Sequence, residues 1–411
     1  MRRHLLVACI GASALLALAA CSSAAGSGTG GSSGGTIKVG VLADVTGALA
    51  TGHDVENGVK ARFALQNAEG GVDGRKLESV VADTTSTLPG TLSAAQSLVE
   101  NDHVFGIIAG TEAISGAVDF LKARSVPLVG HFPDSNEFGN PSFTNMFAIN
   151  GSGNPNYLVT TTYGKFFKSQ GVTSIAGVSY ADAAGSNALV ATLKGAASLG
   201  LKVAYENTTL PIGTTDVDAL ALSIKKSGAN GIFLPVLENT SIALLTQLKE
   251  DGVQLKAALL LVGYGQDTLS SAPAVAAAQG FDFLSLSEPV EANTPATKQM
   301  VAALHKYAGE KGEPYTTDVE GWLEADLFIR GLEAAGSNPT PASFISGLRK
   351  VDDWDAGGLY ARPVQFSEFG NLGVSVGPGN CIYVAKLVGK AFQVISSANP
   401  VCGVSKGQTV G

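Results

Sequence analysis

The side chains that could perform chemistry in this chain do not form a catalytic pattern. The sequence holds five His and four Cys residues, and no His lies near enough to a Cys pair to complete a metal site of the usual spacing. It contains no Gly-x-Ser-x-Gly elbow, no Walker-type phosphate loop and no His-Glu-x-x-His motif. The sequence therefore predicts a protein without enzymatic activity, cofactor or metal ion.

Cys21 is the first residue with a defined chemical role. A basic start at residues 2–4 precedes an apolar run at residues 5–18, and the sequence Leu-Ala-Ala-Cys ends at Cys21. This order is typical of a secretory signal peptide, and the tetrapeptide resembles a bacterial lipobox, in which the Cys is diacylated and becomes the N-terminus. An uncleaved anchor is the alternative, but the run is shorter than the roughly 20 residues of a spanning helix. We expect a signal peptide at residues 1–20 and lipidation of Cys21.

The segment at residues 21–36 continues the N-terminal prediction. After Cys21 it consists of Ser, Ala, Gly and Thr alone, so it cannot bury enough apolar surface to offset the entropy of ordering. A Gly/Ser coil of this length has a typical end-to-end distance of about 20 Å. We expect a flexible linker between the lipid-bearing Cys21 and the folded part of the chain. The protein would then be extracytoplasmic and lipid-anchored to the outer face of the cytoplasmic membrane.

The charge and the remaining cysteines narrow the class of protein. The formal net charge is −8, which argues against nucleic acid as a partner. Cys381 and Cys402 are the two cysteines left in the body, and in an oxidising compartment such a pair suggests a disulfide. Two separate buried thiols are the alternative.

Short β-branched runs alternate with longer stretches of helical period along the body, which is typical of βαβ units with a parallel sheet. The sequence predicts strands at residues 37–42, 77–82, 104–109, 127–129, 174–179, 202–205, 231–236, 258–262 and 280–287. It predicts helices at residues 88–101 and 216–227, and two more within residues 294–336.

The pattern restarts near residue 174, so we expect two α/β halves. Turn-forming sequences at residues 150–155 and 287–295 are the expected crossings between them. Lobe 1 is predicted at residues 37–149 and 286–352, and lobe 2 at residues 150–285 and 353–411. Ligands of open α/β sheets bind beyond the carboxyl ends of the strands, so the two lobes would share one cleft there.

Several segments resemble a known family. The run IKVGVLADVTGALATG at residues 37–52 and the run NGVKARFALQNAEGGVDGRKLESVVAD at residues 57–83 resemble the opening of type I periplasmic binding proteins of the branched-chain amino-acid (leucine/isoleucine/valine) group. LVENDHVFGIIAG, SVPLVG and TTDVEGWLEADLFIRGLEAAGSNPT resemble later family segments, so the likeness extends from Ile37 to about Phe392.

The resemblance implies a fold and a function. The family fold has two Rossmann-like lobes with parallel central sheets, joined by a three-segment hinge that closes on a ligand. A member acts as a monomer that captures a small solute and delivers it to an ABC permease in the membrane. Its work is differential affinity, because the ligand stabilises the closed form by contacting both lobes.

The resemblance also implies two carboxylate-binding loops in the first lobe, built from hydroxyls and backbone N–H groups. In the first loop, the Thr111 hydroxyl and the N–H groups of Glu112 and Ala113 suit an anion at a helix start. Thr111 as a helix N-cap is the alternative. The second loop carries His131 and Phe132 where members usually have small residues with Thr or Ser. These two would add an aromatic wall and a titratable donor, although a lone His is also common as a surface or core residue.

In the second lobe, Tyr180 ends a strand at the family's aromatic position, which implies contact with the ligand. Glu238 follows the next strand and is expected either to hold a cation or to cap a helix. Tyr264, Gln266 and Asp267 belong to the loop where amino-acid-binding members place the acid that pairs with the ligand's ammonium. Gln266 falls near that position and Asp267 one residue further, so the ammonium partner is left open.

Two kinds of ligand follow from these residues. One is an amino acid, branched-chain or other, held through Glu238 or Asp267. The other is an aromatic or aliphatic carboxylate without an amine, in contact with Phe132, Tyr180 and Tyr264. A buried ammonium without a counter-charge would cost several kcal/mol. The alternative function is a ligand-sensing lipoprotein of the same fold that acts on a signalling partner.

Overall fold

Two β-sheets form the frame of the molecule. The computed structural model describes residues 35–47, 50, 55–131, 136–151, 157–181, 183–285, 287–368, 380–396 and 399–410. Its strands are β1 (Ile37–Ala43), β2 (Leu77–Asp83), β3 (Gly106–Gly110), β4 (Leu128–Gly130), β5 (Met146–Ala148), β6 (Tyr157–Thr160), β7 (Ser174–Tyr180), β8 (Lys202–Leu210), β9 (Gly231–Leu234), β10 (Ala257–Leu260), β11 (Asp282–Ser285), β12 (Cys381–Val388), β13 (Ala391–Val394), β14 (Val401–Cys402) and β15 (Ser405–Val410).

Helices separate most of the parallel strands. They are α1 (Glu56–Ala68), α2 (Leu88–Glu100), α3 (Val118–Ala123), α4 (Thr162–Ser169), α5 (Ala183–Ser198), α6 (Asp218–Ser227), α7 (Glu238–Glu250), α8 (Gln266–Leu269), α9 (Ala272–Ala277), α10 (Pro295–Ala303), α11 (Thr316–Ala334) and α12 (Pro341–Leu348). None of the helices in the described part of the chain is long and apolar enough to cross a membrane.

The first sheet is parallel throughout, with strand order β2-β1-β3-β4-β5. Successive residues of β1 face opposite sides of it. Val39 and Val41 belong to the same core as Trp322 of α11, whereas Leu42 packs with Leu98 of α2. Because helices cover both faces, the inner strands β1, β3 and β4 are nearly continuous apolar runs. That burial explains why apolar runs predicted these three strands.

The second sheet is mixed. Its strand order is β13-β12-β11-β10-β9-β7-β8, with parallel pairing from β8 to β11 and antiparallel pairing of β12 and β13. β14 pairs antiparallel with β12, which places Cys402 directly opposite Cys381. A disulfide joins these two residues, with their Cα atoms 4.0 Å apart. The structure therefore contains the predicted disulfide, within antiparallel strands that the sequence pattern did not predict.

Two glycines allow α1 and α11 to pack closely. A Cβ atom on Gly58 would lie 2.1 Å from the backbone oxygen of Asp318, and one on Gly321 would lie 2.0 Å from that of Val55. No side chain larger than hydrogen fits at either position without moving the backbone. The Asn-Gly pair at residues 57–58 thus has a packing role that brings α11 against the first sheet.

The chain passes between the two sheets three times within the described residues: after β5, after β11 and before β12. Trp354, Tyr360 and Phe366 precede the third passage and pack in the core of the first sheet. That core therefore extends beyond residue 352, where the sequence analysis placed the end of lobe 1. The predicted α/β class with two lobes and parallel central sheets is confirmed.

Candidate functional site

A hydrogen-bonded network follows the carboxyl ends of the first sheet's strands. The hydroxyl of Thr111, after β3, donates to Asp44 Oδ1 at 2.8 Å, and the Thr84 hydroxyl donates to the same oxygen. The N–H of Ala113 donates to Thr111 Oγ1 at 3.1 Å, while Glu112 is exposed. The Thr111 hydroxyl thus joins its loop to Asp44 and also accepts a hydrogen bond within the turn that follows β3. A ligand contact through Thr111, Glu112 or Ala113 stays a prediction.

His131 follows β4 and contacts α11. Its Nδ1 atom lies 2.8 Å from Glu320 Oε1, and the two side chains are 17% and 16% exposed. The packing of α11 against β3 and β4 places Glu320 at this strand end. His131 is therefore held at the carboxyl end of β4, beside Glu320, an acid that was not among the predicted site residues. Phe132 lies outside the described residues.

Tyr180, at the end of β7, is buried in the core of the second sheet. Its hydroxyl accepts a hydrogen bond from the N–H of Leu237 at 3.2 Å and lies 2.7 Å from Thr240 Oγ1. Because Thr240 donates its own proton to the carbonyl of Thr214, Tyr180 is the donor to Thr240. The hydroxyl joins β7 to the start of α7, and Thr240 continues the hydrogen bonds to Thr214. A ligand contact of Tyr180 stays a prediction and would involve its ring.

Glu238 begins α7 and points toward the loop after β10. Thr268 donates to Glu238 Oε1 at 2.5 Å, and no side chain caps α7 at its Leu237 N-cap. Burial raises the pKa of Glu238, and the nearby Asp267 adds to that rise. Glu238 thus lies close to Asp267 and Thr268. Of its two expected roles, capping of α7 is not observed at the N-cap, and a cation contact stays a prediction.

The loop after β10 connects to the segment that begins α11. The carboxylate of Asp267 accepts hydrogen bonds from the N–H of Thr316, at 3.3 Å, and from the Thr316 hydroxyl. The N–H of Gln266 donates to the carbonyl of Pro314 at 3.1 Å. These contacts join a loop of the second sheet to a helix that covers the first.

Tyr264 lies beside a pair of carboxyl groups. Its hydroxyl donates to Glu291 Oε2 at 2.6 Å and accepts from the N–H of Val290 at 3.0 Å. Burial raises the pKa of Tyr264 well above its ordinary value, and Glu291 adds to the rise. Burial and the hydrogen-bonded Glu291 raise the pKa of Glu313 to about 8. With this pKa, Glu313 keeps its proton at neutral pH.

One face of α11 brings loops of both sheets together. Thr316 and Glu320 are four residues apart, so they lie on the same side of the helix, about 6 Å apart along its axis. Thr316 binds Asp267 from the second sheet, and Glu320 contacts His131 from the first. In the sequence, these α11 residues were noted only as part of a segment that resembles the family. Their four-residue spacing was the signal that marked a shared face.

The assembled side chains offer hydrogen-bond donors and acceptors from two sheets. Within the described ranges, no group of three or more His, Cys, Asp or Glu residues is arranged to hold a metal ion. The fold is that of a two-lobed α/β protein, and the candidate site residues described above follow the ends of its strands. The sequence matches the family model described as periplasmic binding protein over residues 36–391, and the chain belongs to that family.

Several solved structures are similar to this chain in fold. A fatty acid ABC transporter substrate-binding protein from Thermomonospora curvata is 20% identical, with a TM-score of 0.68 over 91% of this chain and 92% of that one. An ABC transporter solute-binding protein from R. palustris, in complex with benzoate, is 14% identical, with a TM-score of 0.68 over 92% and 99%. LivJ from Streptococcus pneumoniae, in complex with isoleucine, is 17% identical, with a TM-score of 0.66 over 90% and 99%. No curated protein matches this sequence.

Proposed function

We propose that this chain is an extracytoplasmic lipoprotein that captures a small carboxylate-bearing solute between its two lobes and delivers it to an ABC permease. The general role follows from the family. The proposal adds the carboxylate, the anchoring through Cys21 and the absence of chemical turnover. The similar structures of a fatty acid transporter protein and of complexes with benzoate and isoleucine support the carboxylate, because it is the polar group common to these three kinds of compound.

The observation that carries the proposal is the meeting of both sheets' loops on α11. Asp267 of the second sheet and His131 of the first contact residues one helical turn apart. A solute bound at this place can touch both lobes. Contact with both is what a ligand needs in order to favour the closed form over the open one.

The two candidate classes of ligand differ in whether the ligand carries an amine. Asp267 accepts from Thr316, and Glu238 accepts from Thr268, so an ammonium would join carboxylates that are already oriented. The hydroxyls of Tyr180 and Tyr264 are engaged within the protein, so a ligand without an amine would meet their rings. Isoleucine, benzoate and octanoate represent an amino acid, an aromatic carboxylate and an aliphatic one.

A thermal-shift screen with these three compounds and their relatives tests the capture step. A ligand at 100 times its dissociation constant stabilises a protein by about 2.7 kcal/mol. We expect at least one carboxylate to raise the melting temperature and to reduce the radius of gyration in solution scattering. Unchanged melting and scattering across a broad panel of carboxylates would contradict the proposal, as would turnover of any of them.

Delivery is tested in cells. A strain that lacks the gene should lose uptake of the solute identified in the screen and regain it with the wild-type protein. Intact uptake together with loss of a transcriptional response to the solute would instead support the sensing function.

A further inference from the structure

We propose that Glu320 is a positioning residue that keeps His131 protonated, so that the imidazolium binds the carboxylate of the solute. This inference rests on the proposed function and specifies how the anionic end of the ligand is held. It replaces the hydroxyl-based recognition that the family resemblance implies for this loop with a charged one.

The contact between the two side chains is direct. Nδ1 of His131 lies 2.8 Å from Glu320 Oε1, with both side chains mostly buried. A carboxylate at this distance favours the charged form of an imidazole, and partial burial limits screening by salt. The imidazole is held at the end of β4, the place where this kind of fold meets its ligand.

The surrounding sequence leaves few other cations for the ligand's carboxylate. The loops after the parallel strands, at residues 44–55, 84–87, 111–117, 131–145, 181–182, 211–217, 235–237, 261–265 and 286–294, contain no Lys and no Arg. His53 and His131 are the two basic residues in these loops. His131 has a carboxylate partner within hydrogen-bond distance, and this partner suits it to carry a positive charge at these strand ends.

The other described titratable groups at these strand ends and on this part of α11 are acids. Asp44 binds Thr111, and Glu112 follows Thr111. On α11, Glu324 lies one turn beyond Glu320 and is fully buried. None of these three acids can carry a positive charge, so none repels an imidazolium at His131.

Tyr360 packs close to α11 and completes this set of titratable groups. Burial raises its pKa well above the ordinary value, and the charges of Glu320 and Glu324 contribute to the rise. Tyr360 therefore stays neutral at physiological pH. None of these described groups opposes a cation on His131.

The consequence is a pH-dependent affinity of known sign. A carboxylate solute is ionised throughout the range from pH 6 to 8.5, whereas an imidazolium loses its proton as the pH rises. Binding should be strongest at pH 6 and should weaken as His131 becomes neutral. A hydrogen bond between charged groups is strong enough for a change of roughly tenfold or more in dissociation constant.

The experiment compares wild type with Glu320→Gln and the control Glu333→Gln by calorimetric titration of benzoate, isoleucine and octanoate at pH 6, 7 and 8.5. Glu333 lies on the same helix, exposed and about 20 Å away along its axis. We expect Glu320→Gln to bind roughly tenfold more weakly at pH 7, with its loss of affinity starting at lower pH, and Glu333→Gln to match wild type. Ring chemical shifts of His131 in the ligand-free variants report its protonation directly, and melting temperatures report folding.

The outcomes separate the inference from the function on which it rests. Carboxylate binding that stays constant from pH 6 to 8.5, or a His131 titration that Glu320→Gln leaves unchanged, would overturn the inference and leave solute capture intact. Failure of the wild type to bind any carboxylate of the broad screening panel at pH 6 would contradict both.

Discussion

Asp267, in the loop after β10, binds Thr316 at the first turn of α11 through both its backbone N–H and its hydroxyl. This pair joins the second sheet to a helix that packs on the first. It lies beside Gln266, whose N–H donates to Pro314 in the same segment. The loop and the helix start therefore form a polar contact between the two halves of the molecule, and this contact can be tested.

Replacing Thr316 by Val removes the hydroxyl but keeps the backbone N–H. A hydrogen bond to a charged group contributes about 1.5–3 kcal/mol, and we expect this one to stabilise the closed arrangement of the lobes. Ligand affinity should fall roughly tenfold, as measured by calorimetric titration, and the radius of gyration with ligand should rise. Thr409→Val, an exposed strand position in β15, is the control. Unchanged affinity in Thr316→Val would show that the pair does not support closure.

The raised pKa of Glu313, which lies beside Glu291, indicates that the protein is less stable at alkaline pH. Burial raises the pKa of Glu313 from 4.5 to about 8 and that of Asp318 from 3.8 to about 7, so the folded state keeps protons that the unfolded state releases. Stability from these protons is complete below pH 3.8 and is lost as the pH rises through 7 and 8. We expect the free energy of unfolding to fall by roughly 2–4 kcal/mol between pH 5 and pH 9.

Urea denaturation at a series of pH values measures this loss. Glu313→Gln, which is neutral at every pH, should remove much of the decline, and the part due to Asp318 should remain. Glu250→Gln, a change at the exposed last residue of α7, is the control and should leave the slope with pH nearly unchanged. A free energy of unfolding of the wild type that stays constant from pH 5 to 9 would be inconsistent with a raised pKa of Glu313.

The disulfide secures the C-terminal strands. It holds β14 against β12, and β15 beyond it pairs with β6, the segment that leads from the first sheet to the second. Lys165 of α4 donates to the carbonyl of Cys402 at 2.8 Å. The double variant Cys381→Ser/Cys402→Ser should lose about 3 kcal/mol of stability, measured by urea denaturation.

Hydrogen exchange on the same variant locates the effect. Amide protection should fall in β15 and β6, whereas β1 in the first sheet is the internal reference and should keep its protection. Equal protection of β15 in both proteins would mean that its pairing does not depend on the disulfide.

Cys21 is predicted to carry the lipid. Cys21→Ser should leave the protein unlabelled by radioactive palmitate and should move it from the membrane fraction to the soluble one, because acyl chains supply the membrane affinity. Cys9→Ser, a change inside the predicted signal peptide, should keep both label and location. Membrane attachment of Cys21→Ser would argue against a lipid anchor at this residue.

Much of the framework could be predicted from the sequence because parallel strands are buried on both faces. The runs predicted for β1, β2 and β7 end within one residue of the observed strands. The antiparallel strands β12 to β15 were missed. Their pairing depends on partners far away in the chain, such as β11 and β6, and a local apolar pattern does not record such partners.

The candidate site could be predicted less completely. The loops were placed correctly at the strand ends, but the partners of their side chains were not foreseen. Thr111 binds Asp44, and Tyr180 binds Leu237 and Thr240. These contacts join residues from different strands, so their geometry depends on how the strands are ordered in the sheet.

The sequence by itself determined the alternation of strands and helices, the cysteine pair and the family, because these depend on local composition and on motifs contiguous in the chain. Only the tertiary structure decided that α11 presents Thr316 to Asp267 and Glu320 to His131. The physical reason is that hydrogen bonds require atoms within about 3 Å. Residues from distant parts of the chain reach that distance only after the strands have been ordered into sheets and α11 has packed against them.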